Sequence, residues 1–179
     1  MSDPGGPRCA EEWYQEACRA YGGALDRLAR GYEADADRRR DLQQEIHVAL
    51  WRSFDRFDGR CSLRTWVYRV AHNTATSKAS RTRRRGAALV SLDEMPLEPR
   101  VPATQETDFD ERRSVERLSN LIQQLKPLDR QVMLLYLEGE DAASTGEVTG
   151  LSPSAVATKI HRIKQLVRRR FHIGVSNAR

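Results

Sequence analysis

Between residues 89 and 113 the chain loses the apolar periodicity that runs through most of the rest of it. Pro96, Pro99 and Pro102 fall close together there. Proline fixes φ and has no amide hydrogen to donate, so neither a helix nor a central strand can run through such a segment. On both sides, apolar residues recur at three- and four-residue spacing, the mark of amphipathic helices. The pattern predicts an all-α fold of two small helical domains, residues 11–88 and 114–173. Residues 89–113 would be a flexible linker, residues 1–10 (rich in Pro and Gly) a disordered start, and residues 174–179 a short tail. A hydrophobic content of 39% against 31% charged residues agrees, being low for one large core.

Charge follows the same division. The linker carries Asp93, Glu94, Glu98, Glu106, Asp108, Asp110 and Glu111 against Arg100, Arg112 and Arg113, so it is acidic. Both flanks are basic, and the whole chain has a formal charge of +5. A basic protein with an acidic tether favours an anionic partner, nucleic acid foremost.

In the first domain, Trp13, Ala17, Tyr21, Ala24, Leu28 and Tyr32 keep a helical period, with Gly22-Gly23 as a local weakness. A charged break, ADADRRRD, precedes a second helix expected from about Asp41 to Phe54, with Leu42, Ile46, Ala49, Leu50 and Phe54 inward. The third begins after FDRFDGRCS, where Asp58-Gly59 supplies a turn and Ser62 an N-cap. Its expected buried stripe is Leu63, Trp66, Val67, Val70, Ala71 and Thr74, which leaves Arg64, Arg69, His72 and Asn73 outward. Arginines attract phosphate, aromatics stack on bases, and a Gly-containing loop can wall a pocket for an unstacked base. Taken alone, the stretch reads equally as an ordinary core helix with solvated arginines.

The second domain is more specific. LSNLIQQL stops at Pro127, LDRQVMLLYLEG ends on Gly139, and a short helix ends on Gly150. Ser152 then caps the last helix and Pro153 takes its first position. Val156, Ile160, Ile163 and Val167 line one face, while Ala155, Thr158, Lys159 and Arg162 line another. No acid follows Glu147, whereas Lys159, Arg162, Lys164, Arg168, Arg169, Arg170 and Arg179 are all basic. A short helix, a Gly turn and a capped basic helix predict a DNA-binding helix-turn-helix.

Other functions find no support. There are no paired carboxylates, no nucleophile–base arrangement and no phosphate-binding Gly loop, so no catalysis is expected. Cys9, Cys18 and Cys61 are far apart, and His47, His72, His161 and His172 are scattered, so neither a metal nor a cofactor is expected. No apolar run approaches the ~18 residues of a membrane span and the start is unlike a signal peptide, so a cytoplasmic protein is expected.

DLQQEIHVALWRSFDRF followed by SLRTWVYRVAHNTA resembles region two of the extracytoplasmic-function sigma factors of bacterial RNA polymerase. LKPLDRQVMLLYLEGEDAASTGEVTGLSPSAVATKIHRIKQLVRR resembles their region four. The resemblance implies a factor that binds core polymerase and directs promoter-specific initiation. Asp41, Gln44 and Glu45 would dock on the clamp helices of the largest subunit, and the flap of the second subunit is the other polymerase contact the resemblance implies. Phe57, Asp58, Arg60 and Ser62 belong to a loop that would capture a flipped base of the −10 element. Trp66, Arg69, His72 and Asn73 would separate the strands beside it. Ser154, Ala155, Thr158, Lys159 and Arg162 would read the −35 element in the major groove. Promoter DNA and core polymerase are the implied partners, with an anti-sigma factor as a further one the resemblance allows. A polymerase-independent helix-turn-helix regulator is the alternative, and it leaves the first domain unexplained. Some positions depart from the family pattern. His47 replaces an apolar residue, and Thr145, Gly146 and Thr149 replace Ile, Ala and Leu; Gly146 still supplies a small residue at a helix crossing, while the two threonines predict a weakened helix-turn-helix core.

Overall fold

The computed structural model describes residues 9–83 and 107–172. Among them every regular element is a helix, and two compact units divide at Arg84. The first unit holds α1 (Ala10–Tyr32), α2 (Ala36–Ser53), a single 3-10 turn (Phe54–Arg56) and α3 (Leu63–Arg83). The three helices pack mutually around Leu25, Leu28, Leu42, Ile46, Leu50 and Val67, all nearly or fully buried. Removing each such side chain from water contributes roughly 1.5–3 kcal/mol, which pins the inward stripes and so fixes the outward ones.

Helix α1 runs unbroken through Gly22-Gly23. Its start is earlier than expected, because the Glu12 carboxylate reaches back to accept from the Cys9 amide at 3.0 Å. Helix α2 also begins early, at Ala36 rather than near Asp41. Asp35 accepts from the amides of Asp37 at 3.1 Å and Arg38 at 2.9 Å, satisfying donors that a helix start leaves orphaned. Those amides, that of Arg38 first, hold the Asp35 carboxyl below its usual value. The charged break is thus shorter than its composition suggested.

His47 is accommodated between α1 and α2. Its Nδ1 lies 3.0 Å from Tyr14 Oη and 3.8 Å from Cys18 Sγ. Burial, and next the contact with Cys18, push the Tyr14 hydroxyl up to about 12. A polar partner pair on α1 therefore replaces the apolar contact expected at this crossing.

Helix α3 is rolled relative to the expected stripe. Thr65, Val67, Tyr68, Ala71, His72 and Ala75 are buried, while Trp66, Val70 and Thr74 are half-buried at the edges. The cause is the supply of partners on α1. Tyr32 Oη lies 3.1 Å from His72 Nδ1 and 3.3 Å from Thr76 Oγ1, and the rings of Tyr21 and Tyr68 meet at 6.1 Å. A satisfied polar network lets histidine and tyrosine occupy sites that hydrophobic counting gives to aliphatic residues.

The second unit holds α4 (Thr107–Gln124), α5 (Pro127–Leu137), α6 (Ala142–Thr149) and α7 (Pro153–His172). Helix α4 opens inside the segment read as linker; the rest of that segment lies outside the described residues, as do residues 1–8 and the tail. Buried Arg130 donates to the carbonyls of Ile122 at 3.1 Å, Leu125 at 3.2 Å and Gln123, closing the end of α4 onto α5. Asp141 caps α6 through the Ser144 amide at 2.7 Å. Gly150 ends α6 at φ 77°, a left-handed conformation that suits glycine. Ser152 Oγ then accepts from the Ala155 amide at 3.3 Å to start α7. Val156 and Ile163 are fully buried, so the opposite side of α7 faces out.

The α6–α7 turn is tight. A Cβ at Gly146 would stand 2.6 Å from the Leu151 carbonyl oxygen, so only glycine permits the observed approach. Thr149 returns its hydroxyl to the Thr145 carbonyl at 2.7 Å. Thr145 Oγ1, fully buried, has no partner. One of the two threonines is thus satisfied and the other is not.

Candidate nucleic-acid interface

Three surfaces collect the residues singled out by sequence. The first is the loop between the 3-10 turn and α3, with the face of α3 beside it. Ser62 caps α3 by accepting from the Thr65 amide at 3.0 Å, as expected. Gly59 takes φ 73°, and Asp58 braces the turn by accepting from the Arg60 amide at 3.1 Å and pairing with its guanidinium at 3.0 Å. Asp58, Gly59 and Arg60 form the exposed tip. The loop is fixed from below by aromatic packing. Phe57 lies 5.0 Å from Trp13, 5.3 Å from Trp66 and 6.1 Å from Phe54, centroid to centroid. Trp66 Nε1 donates to Ser53 Oγ at 2.9 Å. From Ser62, the spacing to Trp66, Arg69 and Asn73 is four, three and four, so all four share one stripe of α3. Asn73 is exposed, while Trp66 and Arg69 are half-buried.

The second surface is the outward side of α2. Asp41 and Gln44 are exposed, and Val48 and Trp51 continue their stripe at 47% and 44% exposure. Trp51 is steadied by an edge contact with Tyr14 at 5.3 Å. Two large apolar side chains, one helical turn apart, are thus left open beside the polar pair Asp41 and Gln44.

The third surface is α7. Ser154, Thr158 and Arg162 are exposed, and so are Ala157, His161, Gln165, Arg168 and Arg169. Thr158 turns its hydroxyl to the Ser154 carbonyl at 2.9 Å, and Gln165 Nε2 lies 2.9 Å from His161 Nε2. The outward arc of a helix-turn-helix second helix is therefore polar and basic, as entry into a major groove requires.

The order of these surfaces along the chain can be compared with known proteins. Residues 17–85 match the family described as sigma-70 region 2, and residues 115–167 match that described as sigma-70 region 4. The ECF RNA polymerase sigma factor SigG of Mycobacterium tuberculosis is 32% identical over 147 residues. That match covers 69% of this chain and 39% of SigG, so the chain spans well under half of that relative. The ECF RNA polymerase sigma factor SigW of Bacillus subtilis is 26% identical over 139 residues, covering 73% of this chain and 74% of SigW. The chain belongs to the extracytoplasmic-function group of the sigma-70 family. Its fold is also similar to that of CnrH, solved in complex with the cytosolic domain of CnrY. The TM-score is 0.65 at 19% identity, covering 92% of this chain and 95% of that one.

Within this sigma-70 family chain, several residues expected to meet DNA or polymerase are instead engaged internally. His72 retains 1% exposure, and burial pushes its imidazole down to about 3. It is a core residue bonded to Tyr32, not part of the outward face of α3. Phe57 is committed to the aromatic cluster that supports the loop, and the exposed tip beyond it is what a strand could reach. Glu45 is half-buried and drawn to α3, with Lys78 Nζ at 3.0 Å and Arg81 at 4.0 Å. Lys159 Nζ lies 2.6 Å from Asp129 Oδ1 on α5. Ala155 is half-buried at the edge of α7.

Sequence reading missed Val48 and Trp51, although the signal was present. They continue the Asp41–Gln44 stripe at four- and three-residue spacing, opposite buried Leu42, Ile46 and Leu50. It also missed Ala157, His161 and Gln165, which complete the outward arc set by Val156 and Ile163. Among the described residues no cluster of three or more His, Cys, Asp and Glu could hold a metal, and no helix is long and apolar enough to cross a membrane.

Proposed function

We propose that this chain is a sigma factor that binds core RNA polymerase and directs initiation at promoters carrying −35 and −10 elements. The observation that carries the reading is the pairing, in one chain and in this order, of matched regions 2 and 4. Each unit then has an outward surface of suitable chemistry. In this reading, Asp41, Gln44, Val48 and Trp51 dock on the clamp helices of the largest polymerase subunit. Glu45 contributes by holding α2 to α3. The second unit meets the flap of the second subunit.

At the −10 element, the Asp58–Arg60 tip walls the site of an unstacked base while Ser62 holds the start of α3. Trp66, Arg69 and Asn73 form the neighbouring strip along which the strand runs. Unstacking a base costs a few kcal/mol and one aromatic contact returns about 1–3 kcal/mol, so the remainder must come from contacts made only in the assembled complex. At the −35 element, the outward arc of α7 enters the major groove, with Ser154, Thr158 and Arg162 in reach of base edges and phosphates. The cytosolic domain of a second protein on CnrH supports a protein partner, of the anti-sigma kind, for this chain as well.

Gel filtration with core polymerase, followed by run-off transcription from a genomic library, tests the reading. A stoichiometric complex that starts transcripts at a shared sequence is expected. A chain that binds duplex DNA but never co-elutes with core polymerase would instead be a free-standing helix-turn-helix regulator.

A further inference from the structure

Lys159 sits on the helix that the proposed function assigns to DNA, yet its charge is directed inwards. The Lys159 Nζ–Asp129 Oδ1 distance is 2.6 Å, short even for a charge-assisted bond. Asp129 keeps only 7% side-chain exposure and Lys159 30%. The two residues belong to different helices, α7 and α5. Helix α5 is itself held firmly: neighbouring Arg130 grips three carbonyls at the end of α4, and Val132 and Leu135 are fully buried.

At the buried side of α7 the contacts are aliphatic, through Val156 and Ile163, and at its exposed edge Lys164 Nζ also donates to Tyr136 Oη on α5 at 3.2 Å. Apolar burial decides which face of α7 turns inward, but being non-directional it does not set the roll to within a few degrees. A bonded ion pair does resist roll, because it fixes a donor and an acceptor to within tenths of an ångström. The leverage matters. Side-chain tips lie about 5–6 Å from a helix axis, so a roll of about 10° displaces Ser154, Thr158 and Arg162 by about 1 Å, enough to break a base-edge hydrogen bond.

We propose that the Asp129–Lys159 pair is a latch that sets the roll of α7 against α5, and that Lys159 is a positioning residue that makes no contact with DNA. The inference rests on α7 being the DNA-reading helix, but the latch itself is a property of the folded chain. A lysine held by Asp129 releases no counterion from phosphate, so it adds nothing to the salt dependence of binding.

The test uses the full chain with Lys159→Met, Lys159→Arg, Asp129→Asn and the double variant Asp129→Asn/Lys159→Met. Thermal unfolding by circular dichroism gives a double-mutant cycle. Each of Lys159→Met and Asp129→Asn should lower the midpoint, and the double variant should fall no lower than the worse of the two. Additive losses would overturn the latch. Binding is then measured, below all midpoints and across a salt series, on a duplex selected from a randomised pool by parent chain bound to core polymerase. A second duplex carries one altered −35 base pair. Lys159→Met should keep the parent's salt slope while its preference for the selected duplex falls several-fold, and Lys159→Arg should restore that preference. A salt slope smaller by about one, with preference intact, would make Lys159 a phosphate contact and overturn the proposal. Should the parent complex select no sequence at all, the sigma reading fails, and the unfolding cycle still decides the latch.

Discussion

Acidification to about pH 5 should cost the first helical unit about 2 kcal/mol through His72 alone. The imidazole is fully buried, and burial lowers it from 6.5 to about 3. In the unfolded chain it recovers its ordinary value. Between about 3 and 6.5 the unfolded state therefore carries a proton that the folded state refuses, and stability must fall as pH falls through that window. Above 6.5 both states are neutral at this site and nothing is lost. Each pH unit well inside the window is about 1.4 kcal/mol, so pH 5 lies about 2 kcal/mol down and pH 3, where the folded imidazole itself half protonates, about 4 kcal/mol down. Typical domains have only about 5–15 kcal/mol in total. The assay is favourable because Trp13, Trp51 and Trp66, the chain's three tryptophans, all lie in this unit. Denaturant titration followed by tryptophan fluorescence, at about pH 7.5 and about pH 5, reports its stability. His72→Asn is the comparison, since its amide can stand where Nδ1 meets Tyr32 but takes up no proton. The parent should lose about 2 kcal/mol more than the variant between the two pH values. Equal losses in the two proteins would refute the reasoning, because every other titrating group is common to both.

Three further outcomes follow from close contacts or their absence. Gly146→Ala places a Cβ 2.6 Å from a backbone oxygen that cannot swing away, so the helix-turn-helix unit should lose about 1–3 kcal/mol in circular dichroism melts. Thr145→Val keeps the shape but removes a buried hydroxyl without a partner. It should stabilise that unit by about 1 kcal/mol, a rise in midpoint of about 4–8 °C. Gly22→Ala meets nothing within 4 Å in the middle of α1 and should stabilise the first unit by about 0.5–1 kcal/mol, read by tryptophan fluorescence.

The elements that sequence fixed well are those whose signals are local. Ser62, Gly150, Ser152 and Pro153 act within three residues of where they stand, and the structure uses each as its chemistry predicts. Helix starts were less legible. Asp35 and Glu12 recruit amides inside stretches that composition marks as charged or disordered. Helix α3 was misjudged in roll because its inward polar groups are satisfied from far along the chain, His72 by Tyr32.

The same distance explains why individual site residues were harder to assign than the surfaces that hold them. Glu45 and Lys159 each stand one position beside a residue of an exposed stripe, Gln44 and Thr158. A long charged side chain there can lie outward or bend to a neighbouring helix. What decides is an opposite charge on that neighbour: Lys78 and Arg81 on α3 for Glu45, Asp129 on α5 for Lys159. These partners lie some thirty residues away, beyond any helical periodicity, and their identity depends on how two helices cross. Apolar stripes are set by many weak contacts that must all agree, so a pattern reveals them. A charge at the margin is set by one strong contact, so only the fold does.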